Sequence, residues 1–407
     1  MSDSNRVQLA FVEESSFGEQ ETGSNLQILR YNSESLKQDM ATTVSEEIRS
    51  DRQISDVARI GLSASGDINF ELSYGSHDEL FKAALLSSGW STEQKISNAN
   101  TISINGTDNS INDSASGFGS FSANQWIYIS GFSNSANNGF FKISSSTPPT
   151  SSKLVLANGS LETEAAGSLI TVQMGSQITN GTTLYSYNFE KDFKDLSNVL
   201  SLLKGMNINT MALEVPADGI ITGTFGFMGS AEESLTSSGG AGYTNETTSV
   251  VMTGANHVTD FLENLGDLAI LSFSLALNNN LRTRLQVGTL GVASIGSGSV
   301  EITGSLTVHL ANATLFNKYL NQTVTSIAIG VRDTDGNGYI IELPSVKIIN
   351  GTRLAGGLNT DVIGDFEFRA YMDSTEGISI RIARFPIMAD FSGAISASST
   401  ITGALTV

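Results

Sequence analysis

Apolar and polar residues alternate with a period of two along two well-separated stretches, Gly66-Asp67-Ile68-Asn69-Phe70-Glu71-Leu72 and Gly304-Ser305-Leu306-Thr307-Val308-His309-Leu310. Such alternation predicts strands with one buried face. Each stretch leads into a short helical pattern, carrying Leu80-Phe81 in the first and Leu315-Phe316 in the second. In the first, Leu80, Phe81, Ala84 and Leu85 fall on one face, acidic residues fill the first turn, and Ser76 or Asp78 is the expected cap. So short a helix is marginal alone and is expected to lie on a sheet. Basic loops precede both strands, Ile48-Arg49-Ser50-Asp51-Arg52 and Leu281-Arg282-Thr283-Arg284. The pattern runs once from about Leu29 to Gly229 and again from about Leu271 to Arg384, which predicts two like domains in one chain.

Between these landmarks the texture changes. Residues 1–27 are polar apart from Val7 to Val12 and read as an arm around one strand. Residues 37–59 carry charges of both signs with few core candidates, among them Glu46, Glu47, Arg49, Asp51, Arg52, Asp56 and Arg59; a charged loop or exposed hairpin fits. From about Ile96 to Met174, Asn, Ser and Gly punctuate short strands such as Trp126–Ile129 and Lys153–Leu156, with turn pairs at Asn105-Gly106, Asn138-Gly139 and Asn158-Gly159. This reads as a small all-β module inserted into the first domain. Two alternating runs follow, Gly205 to Val215 and Ile220 to Gly229, joined by a turn and predicting a hairpin with one buried face. His257 to Leu265 reads as a short helix, and the tail after Pro386 alternates weakly at Ile395, Ile401 and Leu405. The expected organisation is mainly β: a first domain at 1–95 and 176–255 (connector 230–255), an insert at 96–175, a second domain at 256–385 and a tail at 386–407.

Composition narrows this picture. With 407 residues, 40 Gly, 5 Pro and only 15% charged residues, most of the chain is expected to fold, into two or three domains. The absence of Cys rules out disulfides and thiolate metal sites and suits a reducing cytosol. A formal charge of −19 argues against wrapping nucleic acid and keeps a concentrated subunit soluble. No basic segment followed by an apolar run opens the chain, and no stretch approaches a membrane span.

Candidate chemistry is sparse. Asp333-Thr334-Asp335-Gly336-Asn337-Gly338-Tyr339-Ile340 matches the first eight positions of a calcium-binding EF-hand loop, but Pro344 stands where the bidentate Glu belongs. Its flanks read as strands, so a hairpin turn explains the same letters. His77, His257 and His309 are far apart, and there is no Cys nucleophile, Gly-x-Ser-x-Gly or phosphate loop. Asn-x-Ser/Thr triplets at Asn105, Asn180 and Asn245 are read as compositional. No catalytic residue, cofactor or metal ligand is assigned.

Lys204-Gly205-Met206-Asn207-Ile208-Asn209-Thr210-Met211, leading to Asp218-Gly219-Ile220 and on to Gly229, resembles the tail tube (major tail) proteins of long-tailed, siphovirus-type bacteriophages. So does the approach from Thr43 through Glu46-Glu47-Ile48-Arg49-Ser50-Asp51-Arg52 to Asp56, with Gly66-Asp67-Ile68 after it. The resemblance covers roughly 10–90 and 183–229, with a weaker echo at 268–385; the insert and the second domain depart from the simplest members. It implies tandem β-sandwich or barrel domains, each with a packed helix, six of which close a ring whose inner wall is a β-barrel. Three chains would then make a homotrimeric, pseudo-sixfold ring, and rings would stack into a tube. It further implies partners in the tape-measure, terminator and initiator proteins, passage of DNA without tight binding, no membrane, and assembly in the host bacterial cytoplasm. On this reading Glu71, Glu190, Asp192 and Glu342 are candidates for an acidic lumen. Glu46, Glu47, Arg49, Asp51, Arg52, Asp56 and Arg59, with Arg282 and Arg284 in the counterpart loop, are candidates for contacts between rings. Three alternatives stay open: a glycan-binding β protein using Trp126 and Tyr128, a polysaccharide-active enzyme with paired carboxylates, and another phage structural subunit such as a terminator or capsid decoration protein.

Overall fold

The computed structural model describes residues 3–310, 312–355, 357–358 and 361–387, which fall into two compact units. The first comprises Met1–Trp90, Ile178–Thr334 and Ile341–Ile382; the second comprises Ser91–Gln177, Asp335–Ile340 and the segment from Ala383 onward. The weak alternation expected at Ile395, Ile401 and Leu405 lies outside the described residues.

In chain order, the labelled elements are β1 (Val7–Glu13), β2 (Lys37–Val44), β3 (Val57–Glu71), α1 (Asp78–Ala84), β4 (Tyr187–Phe193), β5 (Leu200–Pro216), β6 (Thr222–Gly229) and β7 (Ala231–Leu235). They continue with β8 (Val258–Glu263), β9 (Ile270–Asn278), β10 (Glu301–His309), α2 (Thr314–Asn321), β11 (Thr325–Arg332), β12 (Gly338–Ala355) and β13 (Val362–Ala370). Eight strands form one antiparallel run in the order β2-β3-β6-β5-β9-β10-β13-β12. The strand expected inside the N-terminal arm is β1, paired along its length with β4, and Phe11 stacks on Phe189 at 5.6 Å.

The strand β5 serves two layers. Leu200–Lys204 pairs with β7, and the later residues pair with β6 and β9. Gly205 (φ +69°) stands at the change of partner, where a Cβ would come within 3.0 Å of Phe17 and of Ser230. Only glycine takes this left-handed backbone without a steric penalty.

The register repeats itself. Across β3 and β6, Gly66 faces Phe227, Ile68 faces Phe225 and Phe70 faces Gly223. Across β10 and β13, Gly304 faces Phe368, Leu306 faces Phe366 and Val308 faces Gly364. Each set then meets a strand with a bulge at the same place, after Ile208 (opposite Phe227) in β5 and after Ile348 (opposite Phe368) in β12. Bulges fix register because they interrupt the ladder at one position only.

The apolar side of the run holds the core. Phe70 stacks on Phe225 at 4.7 Å and Phe273 on Phe368 at 5.9 Å, all fully buried. The helix α1 lays Leu80, Phe81 and Ala84 against this side, and Phe81 meets the Phe225 ring edge-on at 5.6 Å. Neither Ser76 nor Asp78 stands at the cap of α1: His77 does, without a side-chain cap bond, while Asp78 and Glu79 occupy the first turn. In α2 only Leu315 is buried, and the Arg353 guanidinium lies 3.7 Å from the Phe316 ring.

The segment expected to be a helix, His257 to Leu265, is instead the strand β8 after one helical turn, Gly254–His257. Pairing with β11, from Val258 opposite Val331 to Glu263 opposite Ile327, satisfies its backbone and overrides a local pattern too short to hold a helix. The Asp333–Asn337 segment is the turn between β11 and β12.

In the second unit, a four-stranded and a three-stranded sheet enclose Ile102, Ile111, Phe118, Ile127, Ile129 and Val172. Trp126 is 1% exposed, on the strand face opposite the core residues Ile127 and Ile129, and offers no platform to a glycan.

Candidate functional site

The opposite side of the eight-stranded run is polar. Along β13, Gly364, Phe366, Phe368 and Ala370 are buried while Asp365, Glu367 and Arg369 are exposed, as one-sided burial of a strand requires. Pairing aligns the polar positions into rows that cross the strands. One row runs Glu71, Thr222, Glu214, Ser274, Ser305, Glu367 and Asn350. The next runs Asn69, Thr224, Ala212, Ala276, Thr303, Arg369 and Lys347. A third holds Asp67, Gly226, Thr210, Asn278 and Glu301.

This face is acidic. It carries Asp39, Asp67, Glu71, Glu214, Glu301, Asp365 and Glu367 against Lys37, Lys347 and Arg369, a net charge of −4. Arg369 pairs with Glu301 at 2.5 Å and Lys37 with Asp39 at 3.1 Å. The Ser65 hydroxyl and Lys37 hold the Asp39 carboxyl below its usual range. Burial raises that of Glu214. Hydroxyls and amides fill the spaces between: Thr224 Oγ1 donates to Asn69 Oδ1 (2.6 Å), Asn32 Nδ2 to Glu71 Oε1 (3.2 Å) and Thr307 Oγ1 to Asp365 Oδ1 (2.9 Å).

Of the four acidic residues singled out from the sequence, Glu71 lies on this face. Asp192 sits on β4, opposite Gln8, and is paired with Lys194. Glu190 and Glu342 require correction: both are 1% exposed, so neither faces an aqueous wall. Glu190 accepts from the Gly239 amide (2.6 Å), the Ser238 hydroxyl and the Tyr243 phenol, and Glu342 is paired with Arg381 at 2.5 Å. A buried carboxylate stays charged only with such partners. Sequence reading passed over Asp67, Glu214, Glu301, Asp365 and Glu367. Their signal was the phase of alternation, with Asp67 and Glu71 in the slots flanking Ile68 and Phe70, and Asp365 and Glu367 in those beside Phe366 and Phe368.

The charged segment 37–59 is a hairpin built on β2 and β3. Every residue from 46 to 60 is exposed, Glu46, Glu47, Asp56 and Arg59 included, and Ile48 is wholly so (100%). Ile54, Val57 and Ile60 are exposed with it. Arg49 and Asp51 pair with each other at the tip (2.7 Å), and Arg52 there has a left-handed backbone (φ +60°). Arg282 and Arg284 lie on a second small hairpin, Arg282–Arg284 with Ser294–Gly296, whose turn exposes Leu285 and Val287. The Leu62 amide donates to Leu290 O (3.0 Å), tying that turn to β3. Exposed isoleucines on a projecting hairpin mark a surface built to be covered.

Among the described residues no three His, Cys, Asp or Glu side chains gather as a metal site, and no helix is long and apolar enough to cross a membrane. An acidic sheet face and exposed apolar hairpins define a structural subunit that assembles with other chains. The chain belongs to the phage tail tube protein family, whose model matches residues 4–370. It is thus a structural virion protein of the phage tail, which assembles with itself into the tail tube and associates with other tail proteins. No curated protein matches the chain.

Proposed function

We propose that three copies of this chain close a ring of pseudo-sixfold symmetry, and that rings stack into the tail tube of a siphovirus-type phage, with the acidic sheet face lining the bore. The repeated register supports two tandem tube domains in each chain, one built on β2-β3-β6-β5 and the other on β9-β10-β13-β12. Its two outer strands, β2 and β12, need neighbours, and ring closure supplies them. A bore with excess carboxylates repels phosphate, so the genome slides through without adhering. The observation that carries this reading is the one-sided sheet: a continuous core behind it and net negative charge in front.

The hairpin 37–59 and the turn 281–300 make the contacts between rings, with Ile48 and Ile54 covered there and Arg49, Arg52 and Arg59 meeting acidic partners of the adjacent ring. The Asn- and Ser-rich insert serves decoration rather than passage, and no step of the function is enzymatic. Subunits fold in the host bacterial cytoplasm and polymerise on an initiator around the tape-measure protein until the terminator caps the tube. Negative-stain electron microscopy of the concentrated protein tests this: hollow tubes or stacked rings with threefold or sixfold end views are expected. Only monomers, with the initiator complex supplied, would refute it.

A further inference from the structure

We propose that adjacent chains join through β12 of one and β2 of the next in a single register, with Asn350 opposite Asp39, Gly351 opposite Gln38 and Thr352 opposite Lys37. The inference rests on the ring reading above and names the joint that closes it; the partner is a second copy of this chain.

The template lies inside each chain. Where β5 meets β9, Thr210 faces Asn278, Met211 faces Leu277 and Ala212 faces Ala276. Bulges placed alike after Ile208 and Ile348 make Thr210, Met211 and Ala212 equivalent to Asn350, Gly351 and Thr352. On the other side, Leu277 faces Ile302, two residues before Gly304, as Gln38 faces Ala64, two residues before Gly66. Asn278, Leu277 and Ala276 are therefore equivalent to Asp39, Gln38 and Lys37. Transferring the β5–β9 joint through both equivalences gives the proposed pairs.

Two observations outside that transfer agree with it. A ladder joint needs the Gln38 and Gly351 amides directed away from β3 and β13. Both are bonded to side chains rather than backbone: Gln38 N–H donates to Glu232 Oε2 (3.1 Å) and Gly351 N–H to the side-chain oxygen of Asn350 (2.9 Å). These side chains hold places that backbone carbonyls of a second chain would take. The same register also brings together Ile349 and Met40, apolar residues left 46% and 53% exposed, at the site where Asn279 N–H donates to Asn209 O (2.8 Å) in the template. The joint ends at Lys37, because the next outward group, Leu36 O, is held by the buried Lys191 ammonium (2.6 Å) and Leu36 N–H by Glu34 (2.8 Å). Charged guards of this kind keep a sheet edge from pairing out of register.

The chain has no Cys, so introduced thiols report the register without background. Asn350 and Asp39 would form a non-hydrogen-bonded pair, with Cα atoms about 4.5 Å apart, within disulfide reach. Asp39→Cys chains mixed with Asn350→Cys chains, assembled and oxidised, are expected to yield a covalent dimer that neither forms alone. Asp39→Cys mixed with Gly351→Cys, one residue out of register and on the opposite face, is expected to yield none. Rings or tubes in which the Gly351 mixture cross-links, or neither mixture does, would overturn the register and leave the ring reading intact. Hydrogen exchange of the unsubstituted chain guards against thiols that spoil assembly: peptides covering 37–40 and 349–352 are expected to gain protection in tubes. Tubes that leave both peptides unprotected overturn the joint, and an unsubstituted chain that never forms rings by microscopy removes ring and joint together.

Discussion

Reversing the charge of the polar sheet face tests its role most directly. Glu71→Lys, Glu214→Lys and Asp365→Lys together replace three acids on a face that carries seven acidic and three basic side chains. The net charge of the face moves from −4 to about +2 per chain, and in a three-chain ring from about −12 to +6. None of the three has an ion-pair partner among the described residues, so folding is expected to survive. Tubes of the unsubstituted chain should leave short duplex DNA in the supernatant at every salt concentration. Variant tubes should sediment with DNA at low salt. If about six new lysines neutralise phosphates, affinity falls about a thousandfold between 50 and 200 mM salt. Tubes carrying Glu13→Lys, Glu19→Lys and Glu162→Lys, with the same change in total charge at exposed positions outside the strands of this face, are the control. Equal DNA retention by control and variant, or none by the variant at low salt, would refute an acid-lined passage.

Three further outcomes are expected. Arg49→Glu with Arg52→Glu leaves circular dichroism and thermal unfolding of the monomer unchanged, because residues 46–60 pack on no core, yet blocks tube growth in electron micrographs; tubes of normal length would sink the stacking role. Phe118→Ala removes a fully buried ring from the core of the Ser91–Gln177 part of the chain and destabilises it by about 3–5 kcal/mol, read by calorimetry as a lowered transition. His77 is buried with its Nε2–H on Arg30 O, and burial pushes its pKa down to about 4. Unfolded, it titrates near 6.5, so its contribution is complete above that pH. It is lost as pH falls from about 6.5 to 4, costing on the order of 3 kcal/mol. Urea midpoints across that window should show the slope for the unsubstituted chain and a flatter one for His77→Gln.

The one-sided strands were legible because burial writes itself into a period of two: Gly66 to Leu72 and Gly304 to Leu310 read directly as β3 and β10. Strand partners separated by long intervals were not. The pairing of Val215 with Phe273, or of Val258 with Val331, leaves no local pattern, and the second was hidden behind a helix-like run. The acids were misjudged where strands are covered on both faces. Tyr187–Lys191 is buried throughout, so Glu190 had no outward slot, and Ile340–Leu343 around Glu342 is buried likewise. The placeholder bond of Gln38 to Glu232 joins residues 194 positions apart, a partnership that no window of sequence contains.

The hairpin tip has an evolutionary consequence. Since Ile48, Ile54 and their neighbours lend nothing to the folded core, substitutions there are nearly silent to folding and, on the stacking proposed above, are judged by the adjoining subunit alone. Drift at the tip can therefore divide one lineage of tubes into two that each polymerise well and no longer mix, with every chain as foldable as before.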